Sequence, residues 1–502
     1  MLHSTLFGLL LSLSASAAPL RYAEDRAPSN LNPLFTTTMS EARLNELVFE
    51  GLFTDDTELR SVPLLAETAS ASEDKRTLTV DLRRGVVWHD EAPFTARDVV
   101  FTVEAYLNPT TASSEAGRLD FIDAVKAEGD YTVVFKFKRP EWAPEDKLHF
   151  KILPAHLFDG TTAVSRSHPF RTRPVGTGPW EVTHFNDDNS VSLQQFTGYY
   201  GKSQLPEVTM REVADKNYQA KLLIYESLET LVQVLPRDLA ALQNDRKVEL
   251  YPYQTNSWWY MGFNEGQERF QDPQLRAAVG ELLDVGRLLA PIGTGDLLTG
   301  PFVKSSPFYN HDVPAQAHNP AHARSLLEAA GYELVGRQWM KDGAPLTVRL
   351  AAVENLETAQ DVVLQVQAQL QSEGIAVQTE FLGNAEWKQR IWRDRDFDLI
   401  LSQWTFDRNE DIYEQFHSKG SRNFVSYANP AVDALLDQAR QAQDPQQKKA
   451  ILREVHAAVA ADAPMVFLWT LDNYSAMSTR VQNVIVHPFY FFTWARDWQN
   501  AP

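Results

Sequence analysis

Apolar and polar residues alternate strictly in TLTVDLRR (77–84), where Leu78, Val80 and Leu82 face one way and their polar neighbours the other. The same two-residue period runs through YTVVFKFKRP (131–140), and both stretches are expected to be half-buried strands. Between them, TARDVVFTVEAYLNP (95–109) reads as a helix, with Thr95 as its cap, Asp98 as the acidic member of a capping box and Pro109 beyond its end. Residues 49–171 therefore look like a compact α+β lobe. Before them, 40–49 predicts a short helix carrying Leu44, Leu47 and Val48.

A Gly/Pro-rich stretch, RPVGTGPWEV (173–182), separates this lobe from further strands in SVSLQQF and PEVTMREV and a helix in EVADKNYQAKLLIYES. A short β run, VQVLP, the helix RDLAALQND and the strand KVELYPY follow. NSWWYMGFNE (256–265) is the most apolar and aromatic central segment and predicts a buried strand. Later, NPAHARSLLEAAGY is a helix capped by Asn319, with Pro320 in its first turn and Gly331 as its stop. From 346 the order becomes regular: strand PLTVRLAA, helix ETAQDVVLQVQAQLQSEG, strand IAVQTEF, helix NAEWKQRIW, strand FDLILSQ. Such strand–helix alternation predicts a parallel α/β sheet. Two more helices, Pro430 to Gln441 and Pro445 to Ala461, precede the strand MVFLWT.

The length of 502 residues exceeds what one hydrophobic core usually serves, so two or three lobes are expected. A hydrophobic content of 44% with 23% charged residues is that of a globular chain. The net charge of −19 argues against nucleic acid as a partner, because phosphate binding needs a basic surface. Cysteine is absent, which excludes disulfides, thiolate nucleophiles, zinc–thiolate sites and a lipid anchor attached through cysteine. The beginning, MLHSTLFGLLLSLSASAAPL, has an apolar run from Leu6 to Leu13 and then Ala15-Ser16-Ala17. These are the marks of a secretory signal (1–18) cleaved near Ala17 or Ala18, although no Lys or Arg precedes the run. No other stretch approaches about 18 uninterrupted apolar residues, so a soluble periplasmic or extracytoplasmic protein is expected.

Catalytic signatures are missing: there is no GxSxG elbow, HExxH, GxxxxGK[ST] or GxGxxG. The twelve histidines are scattered; His417 and His456 read as surface or helix residues and His89-Asp90-Glu91 as a turn, so no metal site and no cofactor are expected. With 66 acidic residues a carboxylate pair could always be proposed, but the separations that glycoside hydrolysis needs are not legible here.

The segment FDLILSQWTFDRNE (397–410) runs as an apolar strand into Trp404 and then Asp407. In open parallel sheets ligands gather beyond the carboxyl ends of strands, where these two residues stand. Asp407 faces water in a loop, caps the next turn, or receives a cation from a ligand; a buried carboxylate is costly unless such a cation meets it closely. Capture of a peptide's free amine is one recognition mode that supplies this cation. Trp258, Trp259 and Tyr260 form a second candidate, in which one face of the strand packs the core and the other reaches a cleft. Asn256 and Ser257 just before them could satisfy polar ligand groups or simply form a strand-edge turn.

The order of these segments resembles the extracytoplasmic solute-binding proteins of the peptide/nickel class, which deliver ligands to ABC importers. The resemblance is carried by GLFTDDTELRSVPLLAETASASEDKRTLTVDLRRGVVWHDEAPFTARDVVFTVEAYLNP (51–109), PVGTGPW (174–180), WYMGFN (259–264), WTFDRNE (404–410) and SYANPAVDALLDQAR (426–440). It implies a two-lobed α/β periplasmic-binding-protein fold with mixed sheets, an interdomain cleft and an extra α+β domain. Lobe I would combine 19–48, 172–258 and 480–502, the extra domain would be 49–171, and lobe II 259–479. The resemblance assigns Asp407 to the ligand's amino terminus and brings the Leu31 to Met39 loop, with Thr38 and Met39, to the cleft. Glu91, Gln403 and Asp411 depart from the family pattern, where glycine, glycine and proline are usual; the last two border the pocket. The implied function is non-catalytic capture of a short peptide by a monomer and its delivery to an ABC importer permease. Nickel complexes, opines and oligosaccharides are bound by relatives and remain alternatives, as does a secreted hydrolase.

Overall fold

A computed structural model describes residues 18–501 except 114, 115, 355, 357, 407–409 and 443. The expected signal segment therefore falls, apart from residue 18, outside the described residues, and so does Asp407. The chain divides into two compact units, one formed by the chain up to Tyr251 and again from Tyr474, the other by Pro252–Asn473. Asn256, Ser257, Trp258 and Trp404 belong to the second unit, Thr38 and Met39 to the first.

The first unit contains a seven-stranded mixed sheet in the order Val248–Tyr253, Asn473–Ser478, Thr230–Leu231, Leu20–Glu24, Glu207–Glu212, Val191–Gln195, Trp180–Phe185. Leu20–Glu24 runs parallel to both neighbours, and the outer strands beyond Glu207–Glu212 turn antiparallel. A separate four-stranded antiparallel sheet orders Ala66–Ala71, Thr77–Leu82, Thr132–Phe137 and Ile122–Ala127. In Thr77–Leu82 the residues Leu78, Val80 and Leu82 are buried, as the alternation requires. The helix Ala96–Leu107 packs against this sheet. It starts where the capping box predicts, the Thr95 amide donating to Asp98 Oδ2 at 2.8 Å.

The second unit is built on a five-stranded sheet ordered Ala376–Leu382, Thr347–Val353, Leu399–Thr405, Ser257–Phe263, Met465–Phe467. The first three strands are parallel, as the strand–helix alternation predicts. Ser257–Phe263 then runs antiparallel to both of its neighbours, which makes the sheet mixed. All seven residues of that strand are buried. Trp259, Met261 and Phe263 join one apolar core, with Leu350, Val362 and Val366, while Trp258 and Tyr260 join another, with Ile400, Val432 and Val455. A strand covered on both faces carries an unbroken apolar run, which is what NSWWYMGFNE displays.

The helices that cover the second core have legible starts. Asn429 accepts from the Ala431 amide at 2.8 Å and Asp444 from the Gln446 amide at 2.9 Å, each followed by a proline that needs no donor partner in the first turn. They run Pro430–Gln441 and Pro445–Asp462. No helix of the described residues is long and apolar enough to cross a membrane.

Candidate ligand-binding site

Trp404 lies near the carboxyl end of Leu399–Thr405, directly opposite Trp258 on the antiparallel neighbour. Side chains opposite each other on such a pair share one face of the sheet. Trp258 is only 1% exposed and is surrounded by Tyr260, Phe406, Phe416 and Phe467. It therefore packs within the apolar core. Trp404 is half-buried, so part of its indole reaches solvent.

Around Trp404 the rings form a ladder. Its ring lies 6.3 Å from that of Tyr260, the planes 5° apart, and 5.6 Å from Phe424 at 22°. Phe424 in turn stacks on Trp392 at 5.2 Å and 7°. Trp392 is 43% exposed, so the ladder leads from the core to the surface. Sequence reasoning missed Trp392 and Phe424. Each lies well away from Trp404 along the chain, and only the folded sheet brings the three rings together.

At the same end of the strand pair the polar residues are engaged with one another. Ser257 Oγ and Thr405 Oγ1 lie 3.0 Å apart, and the Phe406 amide donates to the Asn256 carbonyl at 2.9 Å. Asn256 Nδ2 donates to Glu410 Oε1 at 3.1 Å in a buried contact. Glu410 adopts a left-handed φ of 46°, a conformation uncommon for a non-glycine residue. Asn256 is thereby bonded to both Phe406 and Glu410.

Thr38 caps the helix Met39–Val48, its hydroxyl accepting from the Glu41 amide at 3.2 Å. Glu41 in return accepts from the amides of Thr37 and Thr38 and from Ser29 and Asn30. Burial pushes the Glu41 carboxyl up, but these donors outweigh it and its pKa is lowered. Thr38 thus has a structural task already, whereas Met39 leaves its side chain 57% exposed.

A second ionisable cluster sits at the opposite end of the Ser257–Phe263 strand. Glu265 lies 3.5 Å from Arg276, whose other donors are taken by the carbonyls of Phe270, Asp462 and Ala463. Burial, with Asp462 adding to it and Arg276 opposing, pushes Glu265 up to about 7. His417 and His456, expected at the surface or on a helix, are both buried; His456 sits in the helix Pro445–Asp462 within 2.9 Å of Thr299 Oγ1. Among the described residues no group of three His, Asp or Glu is arranged to hold a metal ion.

The two-lobed α/β architecture and this sheet are those of a solute-binding protein. The profile described as "Bacterial extracellular solute-binding proteins, family 5 Middle" matches residues 60–426, and the chain belongs to that family. It is 25% identical over 479 residues to the oligopeptide-binding protein AppA of Bacillus subtilis, covering 92% of this chain and 88% of AppA. It is 26% identical over 481 residues to the glutathione-binding protein GsiB of Pectobacterium atrosepticum, covering 93% and 91% of the two chains. The solved structure of AppA from Bacillus subtilis in complex with a nonapeptide superposes with a TM-score of 0.78 at 25% identity, over 97% of this chain and 100% of that one.

Proposed function

We propose that this protein is an exported, non-catalytic carrier that captures a short peptide and hands it to an ABC importer permease. The observation that carries the reading is the half-exposed Trp404 at a strand end, backed by a closed aromatic core and followed three residues later by Asp407. An acid beside an indole suits the free amine of a peptide, with the ring covering the neighbouring apolar atoms. The relatives named for oligopeptide and glutathione binding support peptide as the ligand class. In this reading Asp407, Trp404, Asn256, Ser257, Trp258, Thr38 and Met39 are the ligand-binding residues. The extra domain is 49–171, lobe I combines 19–48, 172–258 and 480–502, and lobe II is 259–479. The mature chain begins near Ala18 and acts as a monomer.

Native mass spectrometry of protein purified without added ligand tests this directly. A co-purifying mass matching short peptides is expected. A passenger with the mass of a metal complex, an opine or an oligosaccharide overturns peptide as the ligand, and turnover of a peptide or sugar by the pure protein overturns the carrier.

A further inference from the structure

Three stretches of the first unit carry no acidic residue: 26–40, 105–113 and 160–180. With 66 acids in 502 residues such gaps are unusual, and the fold knits the three together. Asn30 Nδ2 donates to the Arg166 carbonyl at 3.1 Å and the Leu31 amide to the Arg171 carbonyl at 2.8 Å. Thr111 Oγ1 donates to the Thr162 carbonyl at 2.8 Å, and Ser113 Oγ to the Leu34 carbonyl at 2.6 Å. His168 is held as an acceptor by the Phe170 amide at 3.2 Å. The other basic side chains on these stretches are Arg26, Arg166, Arg171 and Arg173, and all four are exposed.

The three arginines of the last stretch keep their charge toward solvent. Arg171 Nη1 donates to the Ser29 carbonyl at 3.3 Å, and the Arg166 guanidinium carbon lies 5.1 Å over the Phe35 ring, so both are held along the 29–35 turn. Neither they nor Arg173 makes an ion pair among the described residues. The acids that flank the first stretch are committed elsewhere. Glu41 is fully buried and accepts from the amides of Ser29, Asn30, Thr37 and Thr38, while Asp25 pairs with Lys216 at 3.4 Å. Asp159, exposed just before the last stretch, bounds the patch.

We propose that this face of the first unit docks on an anionic phospholipid membrane, with Arg166, Arg171 and Arg173 meeting the headgroup phosphates. The proposal rests on the reading above of a carrier that delivers its solute to a membrane-embedded importer. Guanidinium groups match phosphate oxygens in paired hydrogen bonds, so charge and geometry are both complementary. The net charge of −19 repels the rest of the chain from such a membrane, and only this face is attracted. The outcome is weak, oriented binding that raises the local concentration of the carrier beside its importer. A chain without cysteine has no lipid anchor through that residue to do the same. The exposed neighbours of the arginines, Ser165, Ser167 and Pro169, are small or polar. They suit a headgroup layer and offer a protein partner little to bury.

The test is co-sedimentation of the full-length mature protein with vesicles of phosphatidylcholine alone and of phosphatidylcholine mixed with phosphatidylglycerol. The wild type is expected to bind the mixed vesicles at least about tenfold more tightly, with the preference fading as salt is raised. Each arginine is expected to contribute about a fivefold change, so Arg166→Gln, Arg171→Gln and Arg173→Gln together should remove the preference. Arg287→Gln, Arg337→Gln and Lys419→Gln together make the same change of charge at exposed positions of the other unit and should keep it. Equal binding of the two vesicle types by the wild type, or binding of neither, overturns the docking face and leaves the carrier intact, a comparison that needs no variant to fold. A preference kept without the three patch arginines, or lost in both triple variants, also overturns it. Displacement from the vesicles by soluble glycerol phosphate at matched ionic strength would reveal a discrete phosphate site, and polyglutamate bound as tightly as the vesicles would reveal an acidic protein as the partner. Either result overturns the membrane as the occupant.

Discussion

Trp258 and Trp404 face each other across the Ser257–Phe263 and Leu399–Thr405 strands, yet one is 1% exposed and the other half-buried. The difference arises because Trp258 is closed in by Phe406, Phe416 and Phe467, while Trp404 continues outward through Phe424 to Trp392. One side chain of the pair is therefore core and the other is surface chemistry. The two should separate cleanly on substitution.

Trp258→Ala empties a fully packed position and is expected to cost about 3–5 kcal/mol of stability, the range for large aromatic truncations. Trp404→Ala removes a partly solvated ring and should cost no more than about 1.5 kcal/mol while weakening ligand binding at least about tenfold. Urea unfolding of both variants, together with titration of a peptide ligand, checks the split. Equal destabilisation by the two would contradict it.

How far the chain announces this arrangement depends on the range of the interaction. The strand Thr77–Leu82, the capped start of Ala96–Leu107 and the proline-led helices after Asn429 and Asp444 are written in neighbouring residues, and they stand where local patterns place them. The parallel trio of strands beyond residue 346 was legible for the same reason. Ser257–Phe263 was recognisable as buried, but its apolar run does not say which of Trp258 and Trp259 faces which core. His456 shows the limit most plainly. Its partner Thr299 lies 157 residues away, so nothing beside it in the chain signals that it is buried. Trp392 and Phe424 were missed likewise, since their grouping with Trp404 exists only once the sheet has formed.

Asp407→Asn keeps the shape of the side chain and removes its charge. If the acid holds a peptide amine, affinity for free-amine peptides should fall by about thirtyfold or more, since a charge left facing a neutral partner costs at least about 2 kcal/mol. Amino-acetylated peptides should bind wild type and variant alike. Titration calorimetry with matched free and acetylated peptides decides the matter, and a variant that still prefers the free amine would remove Asp407 from the site.

Gly262 is required by close packing. A β-carbon there would stand 2.8 Å from Val425 Cγ1 and 3.2 Å from Ile400 Cγ1. Gly262→Ala is therefore expected to destabilise the protein by about 1–3 kcal/mol through overpacking. Because the nearest obstacle is a side chain and not backbone, Val425→Ala added to Gly262→Ala should recover part of that loss. Thermal unfolding of the single and double variants tests the coupling; additive losses would show that the strain lies elsewhere.

Glu265 gives the protein a pH dependence whose sign is fixed. Burial raises its pKa from the ordinary 4.5 to about 7, with Asp462 adding to the shift and Arg276 opposing it. A carboxyl raised in the folded state favours folding most when it is protonated in both states, below about 4.5. Its contribution is then lost as pH rises through about 7, because the folded chain must ionise a carboxylate that it shelters from water. At about 1.4 kcal/mol per unit the loss is at most about 3.5 kcal/mol. Glu50, buried beside Tyr199 and Tyr200 and raised to about 6, acts with the same sign, so the wild type alone cannot apportion the effect. Glu265→Gln can, since an amide occupies the same space without ionising. Its melting temperature should match the wild type near pH 4.5 and exceed it by several degrees at pH 8. A variant less stable than the wild type at pH 8 would mean that the ion pair with Arg276 outweighs the burial of the charge.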